Sequence, residues 1–361
     1  VTSVLFVSST LGGGGAERVF ATLLTHLDRR RFRPALALVR KSGGYLADVP
    51  ADVPVHDLGC KTHHTAPPKL VALIRRLRPD AVLCTHSHVN LILGMLAPFL
   101  PRETRLIGRE TAILSRHTRQ FSHPALHDAA YRLGYKGLDR MVCQSADMLA
   151  DLRDNYGLPP AKMVMLPNPV DTDRVVRDAD AAANPYPPGG VELVSVGRLA
   201  PQKGFDLLLA AVAAMRTPGV RLTVLGEGGE RAALLAQAAS LGIADAVRFP
   251  GFQANPYPYM RHADLFVLAS RYEPFPNAVL EALALGAPVA AFRCPGGIAE
   301  IVEEGRDGLT APAGDVAALA RAMDDALAAR LSREAIRGRA RERFDVSVVV
   351  PQYERVLAGD A

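Results

Sequence analysis

The chain has 361 residues, 49% hydrophobic and 22% charged, which is enough for two domains with their own cores and excludes a stapled miniprotein, a disordered chain, collagen and a coiled coil. Net charge is +5, but residues 1–180 carry 24 Lys+Arg against 17 Asp+Glu while residues 181–361 carry 18 against 20, so the basic excess lies wholly in the first half, with nine of the ten histidines. A basic half suits a phosphorylated ligand or an anionic membrane surface, and no nucleic-acid partner is expected.

In chain order, an apolar strand at 3–7 leads through a glycine loop into a helix over 17–27, and a strand follows over 34–39. The spacing of Leu70, Leu73, Ile74 and Leu77 predicts a helix over 69–77 with Arg75, Arg76 and Arg78 outside its apolar face, followed by a strand over 80–84. The apolar stretch 91–100 is interrupted by Gly94 and Pro98 and is about half the roughly 20 residues a spanning helix needs. Further strands are expected at 105–108 and 140–144. After Asp171 the composition turns to Asp, Ala and Pro, ending in Asn184-Pro185-Tyr186-Pro187-Pro188-Gly189-Gly190, which reads as a linker over 171–190. A second series begins there: strands at 192–196, 221–225, 247–250, 265–269 and 288–292, helices over 206–215, 230–240, 277–285 and 316–329, and a last helix from 346 placed to return to the first domain.

Strand-helix alternation of this kind predicts an α/β fold of two doubly wound parallel sheets. The domains expected are 1–170, the linker 171–190, 191–345, and 346–361 packing back on the first. Cys60, Cys84, Cys143 and Cys294 form no CxxC pair, which suits a reducing compartment and argues against structural zinc or a disulfide framework. The first residues form a strand with no basic region before it and no cleavage site after it, so a cytoplasmic location is expected.

Three motifs carry chemistry. Gly12-Gly13-Gly14-Gly15-Ala16-Glu17-Arg18 joins the first strand to a helix, where an open α/β sheet binds ligands and helix amides attract anions. It is not the dinucleotide fingerprint, since Glu17 stands where the last glycine would be. Gly197-Arg198-Leu199-Ala200-Pro201-Gln202-Lys203-Gly204 puts two cations on one loop after a strand, suited to gripping a diphosphate and stabilising it as it leaves. Glu273-Pro274-Phe275-Pro276-Asn277-Ala278-Val279-Leu280-Glu281 sets one carboxylate on a loop, with Asn277 expected to cap the helix that carries the second. The glycines of Cys294-Pro295-Gly296-Gly297 and Gly305-Arg306-Asp307-Gly308 suggest a further ligand loop before a helix. His63-His64 and His86-Ser87-His88 are not read as a metal site, because neighbouring histidines on a strand face opposite ways and no carboxylate stands at ligand spacing. Arg109 and Glu110 end a strand of the first domain, either meeting a ligand or forming a structural ion pair.

These motifs together, with Met141-Val142-Cys143-Gln144-Ser145 and Leu166-Pro167-Asn168-Pro169-Val170-Asp171, resemble retaining glycosyltransferases of the GT-B fold, family 4 (glycosyl transferases group 1), over nearly the whole chain. The resemblance implies two Rossmann-like domains facing across a cleft, the first binding the acceptor and the second a nucleotide sugar. It implies that Arg198 and Lys203 bind the donor diphosphate, Glu281 the ribose and Glu273 the transferred sugar, with Phe275, Asn277 and Ala278 along the donor. Gly197, Gly226, Glu227, Gly251 and Phe252 would border the nucleotide, and Gly14 and Gly15 would close over the phosphates, with Glu17, Arg109 and Glu110 towards the acceptor. Pro274 departs from the glycine common there, which removes an amide contact and bears on sugar choice. No metal and no cofactor are implied; the donor, UDP-sugar first, is a substrate.

The function expected is retaining, metal-independent transfer of a sugar, an N-acetylhexosamine before a hexose, to a lipid-linked or cell-surface glycan precursor in a bacterial cell. Peripheral contact with the inner face of the cytoplasmic membrane would follow from the basic half. A UDP-hexose or GDP-mannose donor with a soluble acceptor, a UDP-sugar epimerase, a nicotinamide dehydrogenase and a non-catalytic sugar-nucleotide binder are the alternatives.

Overall fold

The computed structural model describes residues 1–360, except for the His63 side chain. The chain divides into two compact units: Val1–Pro169 together with the segment from Val346, and Val170–Asp345.

The first unit is built on a seven-stranded parallel sheet of β1 (Thr2–Ser8), β2 (Phe32–Leu38), β3 (Val55–Asp57), β4 (Ala81–Thr85), β5 (Arg105–Arg109), β6 (Arg140–Cys143) and β7 (Met163–Met165), in the order β3-β2-β1-β4-β5-β6-β7. Leu5 of β1 stands opposite both Ala35 and Val82. The chain winds outward from β1 to β3, then restarts with β4 on the other side. The sheet therefore reverses between β1 and β4, and the crevice where such sheets bind ligands lies beyond the carboxyl ends of those two strands. Every residue of β4 is buried, as expected of a strand covered on both faces. One face packs against the helices Pro67–Leu77, Ser87–Leu96, Pro124–Lys136 and Ala146–Tyr156, the other against Gly15–His26 and Val346–Ala358.

That last helix belongs to the first unit through both its faces. Val349, Val350, Tyr353, Val356 and Leu357 are buried against the sheet. Glu354 accepts from the Asp28 amide at 2.8 Å and from Arg31 at 3.0 Å, tying the helix to the β1–β2 connection. Ala361, the final residue of the expected 346–361 segment, lies outside the described residues.

The second unit repeats the plan with six parallel strands, β8 (Val191–Val196), β9 (Val220–Leu225), β10 (Val247–Gly251), β11 (Leu265–Leu268), β12 (Val289–Arg293) and β13 (Gly308–Pro312), in the order β10-β9-β8-β11-β12-β13. Its reversal falls between β8 and β11.

Two expectations are corrected. The stretch 171–190 is not simply a linker: Thr172–Asp180 is helical, Asp171 caps it by accepting from the Arg174 amide at 2.9 Å, and Val175 and Ala179, four apart, are buried in the second unit. The polar composition hid a capped amphipathic turn. Gly308 opens β13 rather than a ligand loop before a helix, and Asp307 beside it is buried and accepts from Arg339 at 2.8 Å. Apart from these corrections, the first part of the interrupted stretch 91–100 lies in the helix Ser87–Leu96, in which a Cβ at Gly94 would sit 1.9 Å from the Gly134 carbonyl oxygen. The glycine permits two helices to cross there. No helix among the described residues is long and apolar enough to cross a membrane.

Candidate active site

In the second unit the predicted residues gather at the carboxyl ends of β8 and β11. β8 ends at Val196; Arg198 is exposed beyond it and makes no ion pair among the described residues, while the short turn Pro201–Lys203 carries Lys203 back over the sheet. Lys203 Nζ lies 2.5 Å from Glu273 Oε1, and the same oxygen accepts from Ser270 Oγ at 3.0 Å. The two side chains are only 21% and 8% exposed, so this ion pair bridges the sheet's reversal point largely out of water.

The loops that carry the pair are stitched together independently of it. The Arg271 amide donates to the Gln202 carbonyl at 2.8 Å, Gln202 Nε2 donates to the Tyr272 carbonyl at 3.1 Å, and Arg271 forks onto Asp206 at 2.8 and 2.7 Å. On the other side Glu273 pairs with the Cys294–Gly297 loop, its amide donating to Pro295 and its carbonyl accepting from Gly297, each at 3.0 Å. Gly296, at φ +124°, is required there, because a Cβ would lie 1.6 Å from the Glu273 carbonyl oxygen. Burial, reinforced by the Glu273 charge, pushes the Cys294 thiol up to about 12, so it stays neutral beside the pair.

Glu281 lies in the second turn of the helix Asn277–Ala284 and is buried. Asn277 does not cap this helix. The cap position is Pro276, extended and with no side-chain cap, and Asn277 is the first helical residue, so the helix starts one residue earlier than expected, directly after the second proline. Phe275 is buried, and Ala278 is half-buried on the first turn. The three glycines expected along the nucleotide do come together: the Gly197 amide donates to Leu225, the Gly226 amide to Gly251, and the Leu199 amide to Glu227, at 2.8–2.9 Å. A Cβ at Gly226 would lie 2.0 Å from the Gly197 carbonyl oxygen. Glu227 and Phe252 are exposed along this edge.

In the first unit the glycine loop opens the helix Gly15–His26, whose Glu17 lies 3.5 Å from His86 Nε2. Burial would raise the Glu17 carboxyl, but hydrogen bonding and charge from His86 outweigh it and hold the group below the usual carboxylate range. His86 and His88 do not face opposite ways. β4 ends at Thr85 and a helix begins at Ser87, so the two rings stack at 5.8 Å, and His88 Nε2 lies 2.7 Å from Ser9 Oγ. His86 takes φ +73°, a conformation L-residues rarely adopt and one that concentrates at functional sites. Sequence reading missed this cluster, although Ser9 and His86 follow β1 and β4 at the first sheet's reversal point. No three metal-ligating side chains group together among the described residues.

Arg109 and Glu110, expected either to meet an acceptor or to form a structural ion pair, are both buried, and among the described residues no ion pair joins them. Arg109 donates to Tyr353, Thr85 and Asn168; Glu110 accepts from Ser87 at 2.5 Å, from the Thr111 amide at 2.8 Å and from Tyr135. β5 delivers them into the interior, where burial requires partners for every charge.

The family described as "Glycosyl transferases group 1" matches residues 176–343, and "Glycosyltransferase Family 4" matches residues 13–174. A Campylobacter jejuni protein named N-acetylgalactosamine-N,N'-diacetylbacillosaminyl-diphospho-undecaprenol 4-alpha-N-acetylgalactosaminyltransferase is 30% identical over 84% of both chains. The chain belongs to glycosyltransferase family 4. A Rhizobium meliloti lipopolysaccharide core biosynthesis glycosyltransferase, LpsE, is 29% identical over 96% of both chains. The fold of this glycosyltransferase is GT-B: the Anabaena protein Alr3699/HepE, solved in complex with UDP-glucose, superposes at TM-score 0.81 over 99% of this chain and 100% of its own, at 22% identity. The first family match contains Arg198, Lys203, Glu273 and Glu281; the second contains Gly14, Gly15, Glu17, Arg109 and Glu110.

Proposed function

We propose that this glycosyltransferase moves a sugar from a UDP-sugar to an acceptor hydroxyl with retention of configuration, and that the second unit holds the donor. The observation that carries the reading is the Lys203–Glu273 pair at the reversal of the second sheet, with the exposed Arg198 on the same loop. Two cations so placed suit a departing diphosphate, a task that a metal ion performs in other transferases, and Glu273 would face the transferred sugar. No cofactor enters this scheme. With no group placed as a covalent nucleophile, the departing phosphate takes the acceptor's proton in a front-face attack. The Campylobacter relative's name supports an N-acetylhexosamine donor and a lipid-linked acceptor, and the Rhizobium relative's name a lipopolysaccharide-type acceptor; the basic excess of the first half supports an acceptor on the first unit and peripheral contact with an anionic bilayer.

The test is a screen of UDP-N-acetylhexosamines, UDP-hexoses and GDP-mannose with the pure protein, reading UDP or GDP release with and without lipid-diphosphate sugars. Release that requires the acceptor supports transfer. Interconversion of UDP-sugars without acceptor replaces it with epimerisation, and binding without release leaves only a binding protein.

Glu281→Gln separates ribose binding from packing. Loss of a charged hydrogen-bond acceptor to a ribose hydroxyl is expected to weaken UDP about tenfold or more in calorimetry, with a smaller change in the rate at saturating donor. Unchanged UDP affinity would make Glu281 a packing residue of its helix.

A further inference from the structure

We propose that the helix Pro124–Lys136, with the adjoining end of Ser87–Leu96, is an interfacial anchor that inserts apolar side chains into an anionic lipid bilayer. This deepens the membrane part of the reading above and is independent of its donor chemistry. Leu126 and Leu133 are 70% and 60% exposed and stand seven positions apart, which places them on one face of the helix. Met95, 46% exposed, adjoins them: a Cβ at Gly134 would lie 3.4 Å from Met95 Cγ, because Gly94 and Gly134 let the two helices cross almost backbone to backbone. The apolar side chains thus project from a rigid pair of helices rather than from a loop.

Charge completes the surface. Arg116, Arg119, Arg132 and Lys136 are exposed on or beside the same helix. The helix's own acid, Asp128, is occupied by the Tyr156 hydroxyl at 2.6 Å. On the neighbouring layer Arg75, Arg76 and Arg78 are exposed too; the exposed acid nearest them in sequence is Asp80, whose carboxylate accepts from the Ser3 amide and hydroxyl, each at 2.7 Å. A basic helix with large apolar side chains on its exposed face lies in the plane of an anionic interface, its leucines at the acyl boundary and its cations at headgroup level. A second copy of this chain, equally basic there, would be repelled.

The chain contains no tryptophan, so Leu126→Trp and Leu133→Trp each give a single reporter, with Leu235→Trp in the second unit as control. With vesicles of equal phosphatidylglycerol and phosphatidylcholine, both first-unit variants are expected to shift their emission to the blue and to be quenched by lipid brominated on its acyl chains; the control is not. Phosphatidylcholine alone should give no shift. Each basic residue near an anionic surface is worth a factor of about five in partitioning, so Arg132→Glu with Lys136→Glu should weaken vesicle binding more than tenfold while leaving UDP affinity unchanged. Vesicle binding without shift or quenching, no binding at low salt, or lipid-independent self-association that shifts the same reporters would each overturn the proposal. Failure of the donor screen with vesicle binding intact would count against the glycosyltransfer scheme alone.

Discussion

Lys203→Ala is expected to lower turnover by roughly 10²–10³-fold, the loss typical when one preorganised group that stabilises charge in the transition state is removed. The residue sits where the leaving diphosphate would develop charge, and its ammonium is already oriented by Glu273 at 2.5 Å within loops joined by their own backbone hydrogen bonds. Little reorganisation is then needed during reaction. Because the charge on the phosphate grows as the sugar departs, the loss should fall on kcat more than on UDP affinity. Arg198→Ala should act in the same direction, with less effect on stability, since Arg198 is exposed and holds no ion pair among the described residues. Lys203→Ala also leaves the buried Glu273 with Ser270 as its remaining side-chain partner. Unfolding measured beside turnover therefore serves as the control: if lost charge on the diphosphate is the cause, kcat falls in Lys203→Ala while the protein is still fully folded at the assay temperature. Wild-type kcat in Lys203→Ala and Arg198→Ala would remove both from the diphosphate site.

Most of the second unit's site was legible because its chemistry follows chain order. Strand, loop and helix alternate there with little interruption, so a cation just after β8 and a carboxylate just after β11 fall at carboxyl strand ends as soon as the strands are recognised. What one sequence does not carry is which strands are neighbours. The meeting of Lys203 with Glu273, 70 positions apart, depends on β8 lying beside β11, a tertiary pairing. Ser270 passed unnoticed for the same reason.

The first unit was read less well, for identifiable causes. The helix Pro124–Lys136 has exposed leucines and buried Tyr131, Gly134 and Tyr135, which blurs the apolar stripe by which helices are recognised. His86 looked like a strand residue, yet the chain leaves the sheet at Thr85 and takes a positive φ at a non-glycine, a conformation no propensity would suggest. Arg109 and Glu110 end a strand in the expected place, but nothing local distinguishes a charge offered to a ligand from one buried among distant partners.

Arg109 provides the sharpest test of that last distinction. Its guanidinium is enclosed beneath the C-terminal helix, donating to Tyr353 at 3.3 Å, to Thr85 at 3.4 Å and to the Asn168 side chain, and no carboxylate lies within ion-pair distance among the described residues. One side chain thus joins β5, the end of β4, the segment after β7 and the helix Val346–Ala358. Arg109→Ala removes several hydrogen bonds at once and opens a cavity, so a loss of about 3–5 kcal/mol is expected in the first unit's unfolding. Arg109→Met, which fills most of the volume but leaves the polar partners unmet, should lose less, about 1–3 kcal/mol. Hydrogen exchange at residues 349–357 localises the effect: in both variants these amides should lose protection, while those of β8 and β11 keep theirs. If Arg109 instead meets an acceptor, the outcome reverses, with Arg109→Met retaining full stability and C-terminal protection while transfer fails and UDP affinity stays intact.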